Sequence, residues 1–143
     1  DVEGVLVLDD IVGMVSPDDY ERFAHPFLER IFAAFPDKIH LYHNDTPNCV
    51  FQRRFADAGV QVYNFSHLDD IARLDAEIGD RVCLMGNVAP LELMVNGSPD
   101  QVLQAARECI ASVQHAFLLS AGGGVSPGTK PENIDALIQA ARA

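Results

Sequence analysis

Apolar positions along this chain fall into two alternating patterns. Short runs of four or five residues, Val5 to Leu8, Ile39 to Tyr42, Gln61 to Phe65, Val82 to Met85 and Ala116 to Leu119, are rich in Val, Leu, Ile and aromatics. Their near-continuous apolarity, rather than strict alternation, predicts parallel strands covered on both faces. Between these runs the apolar residues recur at helical spacing instead. Tyr20, Phe23, Ala24, Phe27, Ile31 and Phe32 make one such face. It follows Ser16-Pro17-Asp18-Asp19, which supplies an N-cap, a proline at the first helical position and acids in the first turn. Pro26 is expected to kink that helix, because it lacks an amide and crowds the preceding turn. Thr46-Pro47 predicts a second helix closing at Gly59, and Ser66 with Asp69 caps a third that carries Ile71, Leu74 and Ile78 and stops at Gly79. Ser98-Pro99-Asp100-Gln101 reads as a capping box before Val102, Leu103, Ala106, Cys109, Ile110 and Val113. Pro131 opens the last helix, with Ile134, Leu137, Ile138 and Ala141.

Strand and helix thus alternate five times, which specifies a single α/β domain over residues 1–143 with a parallel sheet. Five βα units fit an open doubly wound sheet or five-eighths of a barrel, and periodicity does not choose between them. In both, chemistry belongs at the C-terminal ends of the strands. That rule selects Asp9-Asp10, His43-Asn44-Asp45, Asn64 to His67, Gly86-Asn87 and Ser120 to Gly124.

Composition narrows the partners. The chain is 48% hydrophobic and 22% charged, ordinary for a globular domain with a core. A net charge of −11 would repel a phosphate backbone and argues against nucleic acid. No apolar run approaches the roughly 20 residues needed to cross a bilayer. The opening Asp1-Val2-Glu3-Gly4 has neither an initiator Met nor the pattern of a signal or transit peptide, so a piece of a longer cytoplasmic protein is expected. Cys49, Cys83 and Cys109 have no paired spacing and are expected as reduced, buried small hydrophobes.

Several strand-end residues carry candidate chemistry. Adjacent Asp9 and Asp10 point to opposite faces, so at most one meets a substrate; the other reading is an Asx-type turn or helix cap. His40 reads as an acid–base or metal-binding group, or equally as a core histidine bonded to a neighbour. Pleating sets Leu41 and His43 opposite His40 and Tyr42, so His40 and His43 can share a metal only if the strand ends near Tyr42. An oxygen/nitrogen site for zinc or another divalent ion, drawn from His40, His43, Asp10 and Asp45, is an open alternative. Asn87 is a candidate for binding a substrate carboxylate or for shaping a turn. Gly122, Gly123 and Gly124 would free backbone amides for an anion, or form a tight turn. His25 and His67 are expected on helix surfaces.

Three blocks of sequence resemble one known family. Met85-Gly86-Asn87-Val88-Ala89-Pro90 with Asn96-Gly97-Ser98-Pro99 is similar to the "GNLDP" segment of uroporphyrinogen decarboxylases and methylcobamide:coenzyme M methyltransferases. Leu118 to Val125, with Pro127-Gly128-Thr129 and Pro131-Glu132-Asn133, resembles that family's closing turn and helix, and Gly13 to Pro17 with Tyr20, Phe23 and Pro26 matches a third block. The resemblance runs across the chain, corresponds to the C-terminal half of the family's usual length, and implies the (β/α)₈ TIM barrel.

The wording is closer to the methyltransferase branch, which implies methyl transfer from a corrinoid donor at a His-x-Cys…Cys zinc site. Here His40 stands at the histidine position, but Tyr42 and Gly123 replace the two cysteines, so two of three ligands are missing. In the decarboxylating branch, Asp10 replaces a serine and Gly123 a histidine. The resemblance therefore implies His40 and Asp10 at the reacting centre, with Asn87, Asn44, Tyr42 and Gly122 to Gly124 contacting a small-molecule or tetrapyrrole substrate. Porphyrinogen decarboxylation and a non-catalytic tetrapyrrole- or corrinoid-binding barrel stay open. Arg53, Arg54 and Lys130 are the basic candidates to meet anionic substrate groups. Five strands of a barrel would leave edges and an apolar inner face uncovered, which predicts self-association or pairing with an N-terminal half.

Overall fold

The computed structural model describes residues 2–47 and 49–142. Five strands, β1 (Gly4–Leu8), β2 (Ile39–Asn44), β3 (Val62–Phe65), β4 (Cys83–Val88) and β5 (Phe117–Ala121), form one sheet. All are parallel, and each pairs with its neighbour in chain order. This order settles the architecture. A doubly wound sheet reverses its strand order part-way across, so helices cover both faces. Right-handed crossovers between strands laid down in sequence put every helix on one side, which is how a barrel wall is built.

The covering helices are α1 (Pro17–Phe23), α2 (His25–Ala33), α3 (Arg53–Asp57), α4 (Ile71–Ile78), α5 (Pro99–Ala111) and α6 (Pro131–Ala141). A 3₁₀ turn spans Ile11–Met14 and a π-helical turn Pro90–Val95. The expected caps form at Ser16, whose hydroxyl accepts the Asp19 amide, and at Ser98, whose bonds with Gln101 make the reciprocal box. Three expectations change. Pro26 does not kink one helix but falls in the first turn of a new one, after a break at Ala24, where a missing amide costs nothing. Asp70, not Ser66 or Asp69, caps α4 by accepting the Arg73 amide at 3.1 Å. The segment after Thr46 is helical only at α3, because the Thr46 hydroxyl donates to the Asp10 carbonyl at 2.7 Å and ties strand ends together; Asn48 lies outside the described residues.

Strand pairing also carries β2 past Tyr42. His43 pairs with Leu8 and Asn64, and Asn44 with Phe65. Alternation then assigns the two faces. Val7, Tyr42, Tyr63, Phe65, Leu84 and Val88 point at the helices. They pack with Tyr20, Phe32, Phe55, Leu74 and Ile78 on one side and with Met94, Val102 and Ala106 on the other. Aromatic rings fill the first cluster: Tyr20 stacks on Phe51 at 4.2 Å, and Phe55 lies 4.7 Å from Tyr42 and 5.0 Å from Tyr63. The other face is concave and uncovered. Leu6, Leu8, Ile39 and Leu118 are 53%, 69%, 50% and 48% exposed, which is the inner wall of a barrel segment open to solvent.

Candidate functional site

The concave face turns from apolar to polar at the C-terminal ends of its strands. A cavity of about 290 Å³ lies there, lined by Leu6, Leu8, Leu41, Val62 and Met85 below and by His43, Asn64, Gly123 and Gly124 at the rim. Among the described residues, no lysine or arginine lines it. A larger groove of about 500 Å³ opens on the helix side of β1 and is lined mainly by apolar groups such as Phe23, Phe27 and Ile31.

His43 is the centre of the rim. Its Nδ1 lies 2.7 Å from the Asn64 Oδ1, and its Nε2 lies 3.5 Å from the Asp10 Oδ1. Asn64 in turn donates from Nδ2 to the Met85 carbonyl at 2.8 Å and to the Ala121 carbonyl at 3.5 Å. One chain of contacts therefore crosses from β1 through β2, β3 and β4 to β5. Asp10 is held from the other side, because its Oδ1 accepts the Asp45 amide at 2.8 Å. Asp9, on the opposite face, caps the 3₁₀ turn by accepting the Val12 amide. Asp10 is thus the member of the pair that meets the rim.

Asp45 sits under the glycine turn. A Cβ built on Gly123 would come 3.0 Å from the Asp45 Oδ2, and Gly123 itself adopts φ +96°, a conformation that favours glycine. The Asp45 Oδ1 is buried without a hydrogen-bond partner. Desolvation raises the pKa of this carboxyl; His43 pulls it back down, and Asp10 adds to the rise. His67 lies at the end of β3 against Gly122, where a Cβ would strike its backbone at 2.6 Å, and its Nδ1 is also buried and unpartnered. It therefore belongs to the rim and not to a helix surface. His25 is half-buried against Tyr20, its Nδ1 3.4 Å from the phenol oxygen.

The rim gathers Asp10, His43, Asp45 and the glycine turn, Tyr42 borders the cavity along its strand with its ring turned away, and the other expected site residues lie elsewhere. His40 is on the helix side near the N-terminal end of β2. Its ring stacks on Phe32 at 4.6 Å, and its two nitrogens face the Phe35 and Gly59 carbonyls at 2.9 and 3.0 Å. A shared metal with His43 is ruled out by strand parity, since the two project from opposite faces. Tyr42 is buried beside Phe55, and burial pushes its pKa well up. Asn44 is fully buried, donating to the Asp9 carbonyl at 2.6 Å and accepting the Thr46 amide at 3.0 Å. Asn87 turns toward the helix layer, donating to the Asp69 carbonyl at 3.0 Å and accepting from the Cys109 thiol at 3.5 Å. Arg54 pairs with Glu21 and Asp57, Arg53 faces Glu77, and Lys130 donates to the Gly97 carbonyl, so none of these cations reaches the rim. Cys49 and Cys109 are buried as expected, while Cys83 is half-buried.

A thiolate-type zinc centre does not fit this donor set. Such a site needs three protein donors at about 2.0–2.3 Å from one point. Among the described residues, no group of three His, Cys, Asp or Glu side chains comes together to hold a metal ion. Also among them, no helix is long and apolar enough to cross a membrane.

Asn64 was visible in sequence only as a strand-end position, Asp45 also as one candidate of an oxygen/nitrogen metal site, and His67 was expected on a helix surface. The signal that singles out His43 and Asn64 is parity: each lies two residues after an inward-facing residue, Leu41 and Val62, and the two are register partners.

Comparison with known proteins agrees with this architecture. The chain is 32% identical to uroporphyrinogen decarboxylase of Chloroherpeton thalassium over 96% of its own length and 40% of that protein's. It is 30% identical to the enzyme of Pelodictyon phaeoclathratiforme over 96% and 41%. It spans about two-fifths of the length of these relatives. Among solved structures, a methyltransferase from Methanosarcina mazei superposes with a TM-score of 0.83 at 23% identity, over 96% of this chain and 41% of that one, a likeness of fold. The sequence model described as "Uroporphyrinogen decarboxylase (URO-D)" matches residues 1–143. From end to end, this chain belongs to the uroporphyrinogen decarboxylase family.

Proposed function

We propose that this chain is the part of a methyl-transferring family member that carries its proton-accepting residue, and that His43 is that residue. The observation behind the reading is the His43 Nε2, set at the rim of an apolar cavity beside Asp10. An imidazole there can take the proton from a methyl acceptor X–H as X forms its bond to the methyl carbon. The methyl group comes from a methylated corrinoid as substrate, and the cobalt keeps the electron pair of the broken bond. Activation of X–H by a base takes the place of activation by a metal, for which the described residues of this chain gather no donor set.

The charge of the rim favours this substrate over a porphyrinogen. Uroporphyrinogen carries carboxylates around its ring, whereas a corrinoid carries mostly neutral carboxamides. Asp10 and Asp45 would repel the former, and the lining offers no cation to offset them. Decarboxylation is the second reading, favoured by the names of the curated relatives, and it needs its cations from outside this chain. In both readings the exposed inner leucines pack against further protein, either the rest of the barrel or a second copy.

Full-length protein supplied with methylcobalamin and a thiol, phenol or amine acceptor should bleach the cobalt–carbon absorbance with multiple turnovers. Carbon dioxide release from uroporphyrinogen with methylcobalamin untouched would overturn the proposal in favour of decarboxylation. Tight corrinoid or porphyrin binding with turnover of neither would leave the non-catalytic barrel.

A further inference from the structure

We infer that Asn64 is a positioning residue that fixes the tautomer of His43 and so decides which ring nitrogen faces the substrate. The inference rests on the reading of His43 as the proton acceptor, but its geometry stands apart from the identity of the methyl donor.

Asn64 is out of place by packing alone. It sits on the concave face between apolar neighbours, following Val62 along β3 and pairing across to Met85, and is only 8% exposed. A valine or leucine would fill that position without desolvating an amide, a group that is costly to bury when its bonds are unmade. Here both of its polar atoms are engaged. Nδ2 faces the Met85 and Ala121 carbonyl oxygens, so the amide cannot be reversed without setting oxygen against oxygen. Oδ1 must then face the His43 Nδ1 at 2.7 Å, and an amide oxygen only accepts. His43 must therefore carry its hydrogen on Nδ1. Nε2 is then the nitrogen that takes up the second proton at the cavity, and the Asp10 carboxylate 3.5 Å away faces the N–H that forms there. The backbone carbonyls of β4 and β5 thus reach through one amide to set the reactive atom on β2.

Nuclear magnetic resonance on full-length protein with ¹⁵N-labelled histidine tests this, because multiple-bond nitrogen–proton correlations distinguish the two neutral tautomers. Neutral His43 should carry its hydrogen on Nδ1. Asn64→Leu should shift it toward the Nε2–H form and lower kcat for methylcobalamin turnover by on the order of 10²-fold, with KM little changed. Asn64→Asp sets its second oxygen against the Met85 carbonyl and should cost stability, but it keeps an acceptor toward Nδ1 and should retain the Nδ1–H form in the folded protein. An Nε2–H tautomer in the unmodified protein, or an Asn64→Leu protein with the same tautomer and kcat, would overturn the inference. If Asn64→Leu does not fold, the tautomer of the unmodified protein still decides. Should the tautomer depend on Asn64 while methylcobalamin is never consumed, the positioning role holds and the methyl-transfer reading fails.

Discussion

The two faces of this sheet differ in what holds them. On the helix side, side chains interlock in depth: Phe55, Tyr63, Phe65, Leu74 and Leu84 are wholly shielded, and Asn44 among them is bonded to the Asp9 carbonyl. On the concave side, leucines stand half in solvent and the polar residues bond mainly to one another and to neighbouring strand ends. The first face holds the chain's core, and the proposed chemistry lies on the second. Truncation should separate them most sharply. Phe55→Ala removes the ring around which Tyr20, Tyr42, Phe51 and Tyr63 gather and should cost about 3–5 kcal/mol in urea unfolding. Leu8→Ala, at 69% exposed, should cost well under about 1 kcal/mol in the isolated chain. Equal losses would mean that the concave face is covered in solution.

His40 and His43 carry the same contrast into one strand. They lie three residues apart on β2, so pleating sends one ring to the helices and the other to the cavity. His40→Ala forfeits contacts to two carbonyls and a stacked ring, and should destabilise the fold by about 2 kcal/mol while leaving kcat per folded molecule intact. A hundredfold loss of kcat with unchanged stability would reverse the assignment and return His40 to the reacting centre.

That pair also explains how far the sequence could be read. The parallel α/β order, the caps at Ser16 and Ser98 and the strand-end rule were all legible, because each depends on local residue chemistry. The barrel was legible only through resemblance, since strand order is a long-range property. The placement of His40 at the reacting centre came from the resemblance, which set it at the family's histidine position. Aligned motifs fix a residue's place along a strand, and the face follows from pairing with β1 and β3, which no local pattern reveals. Asn87 misled in the same way: a strand-end amide beside glycine suits a ligand, but the Asp69 carbonyl claims it. Asn64 was hidden for the opposite reason, as a polar residue inside an apolar run whose partner lies 21 positions away.

The finest difference between the faces is in the sign of their carboxylate shifts. Asp57, on the helix side, is held below the usual 3.8 by the Arg81 guanidinium, aided by Arg54. Asp45, at the rim, is raised above 3.8, chiefly by desolvation. The raised group keeps its proton in the folded chain at pH values where the unfolded chain has released it. Its contribution to stability is therefore greatest in acid and declines as pH rises from 3.8 through its folded pKa. The lowered group works the other way, contributing above 3.8 and losing that contribution as pH falls through its own folded pKa. Stability differences between each asparagine variant and the parent should then run in opposite directions with pH. For Asp45→Asn, variant minus parent should climb as pH rises past 3.8 and then level. For Asp57→Asn it should drop over the acid side of 3.8. Urea unfolding across that range measures both slopes, and parallel slopes would mean that Asp45 is solvated at the rim and not shut beneath Gly123.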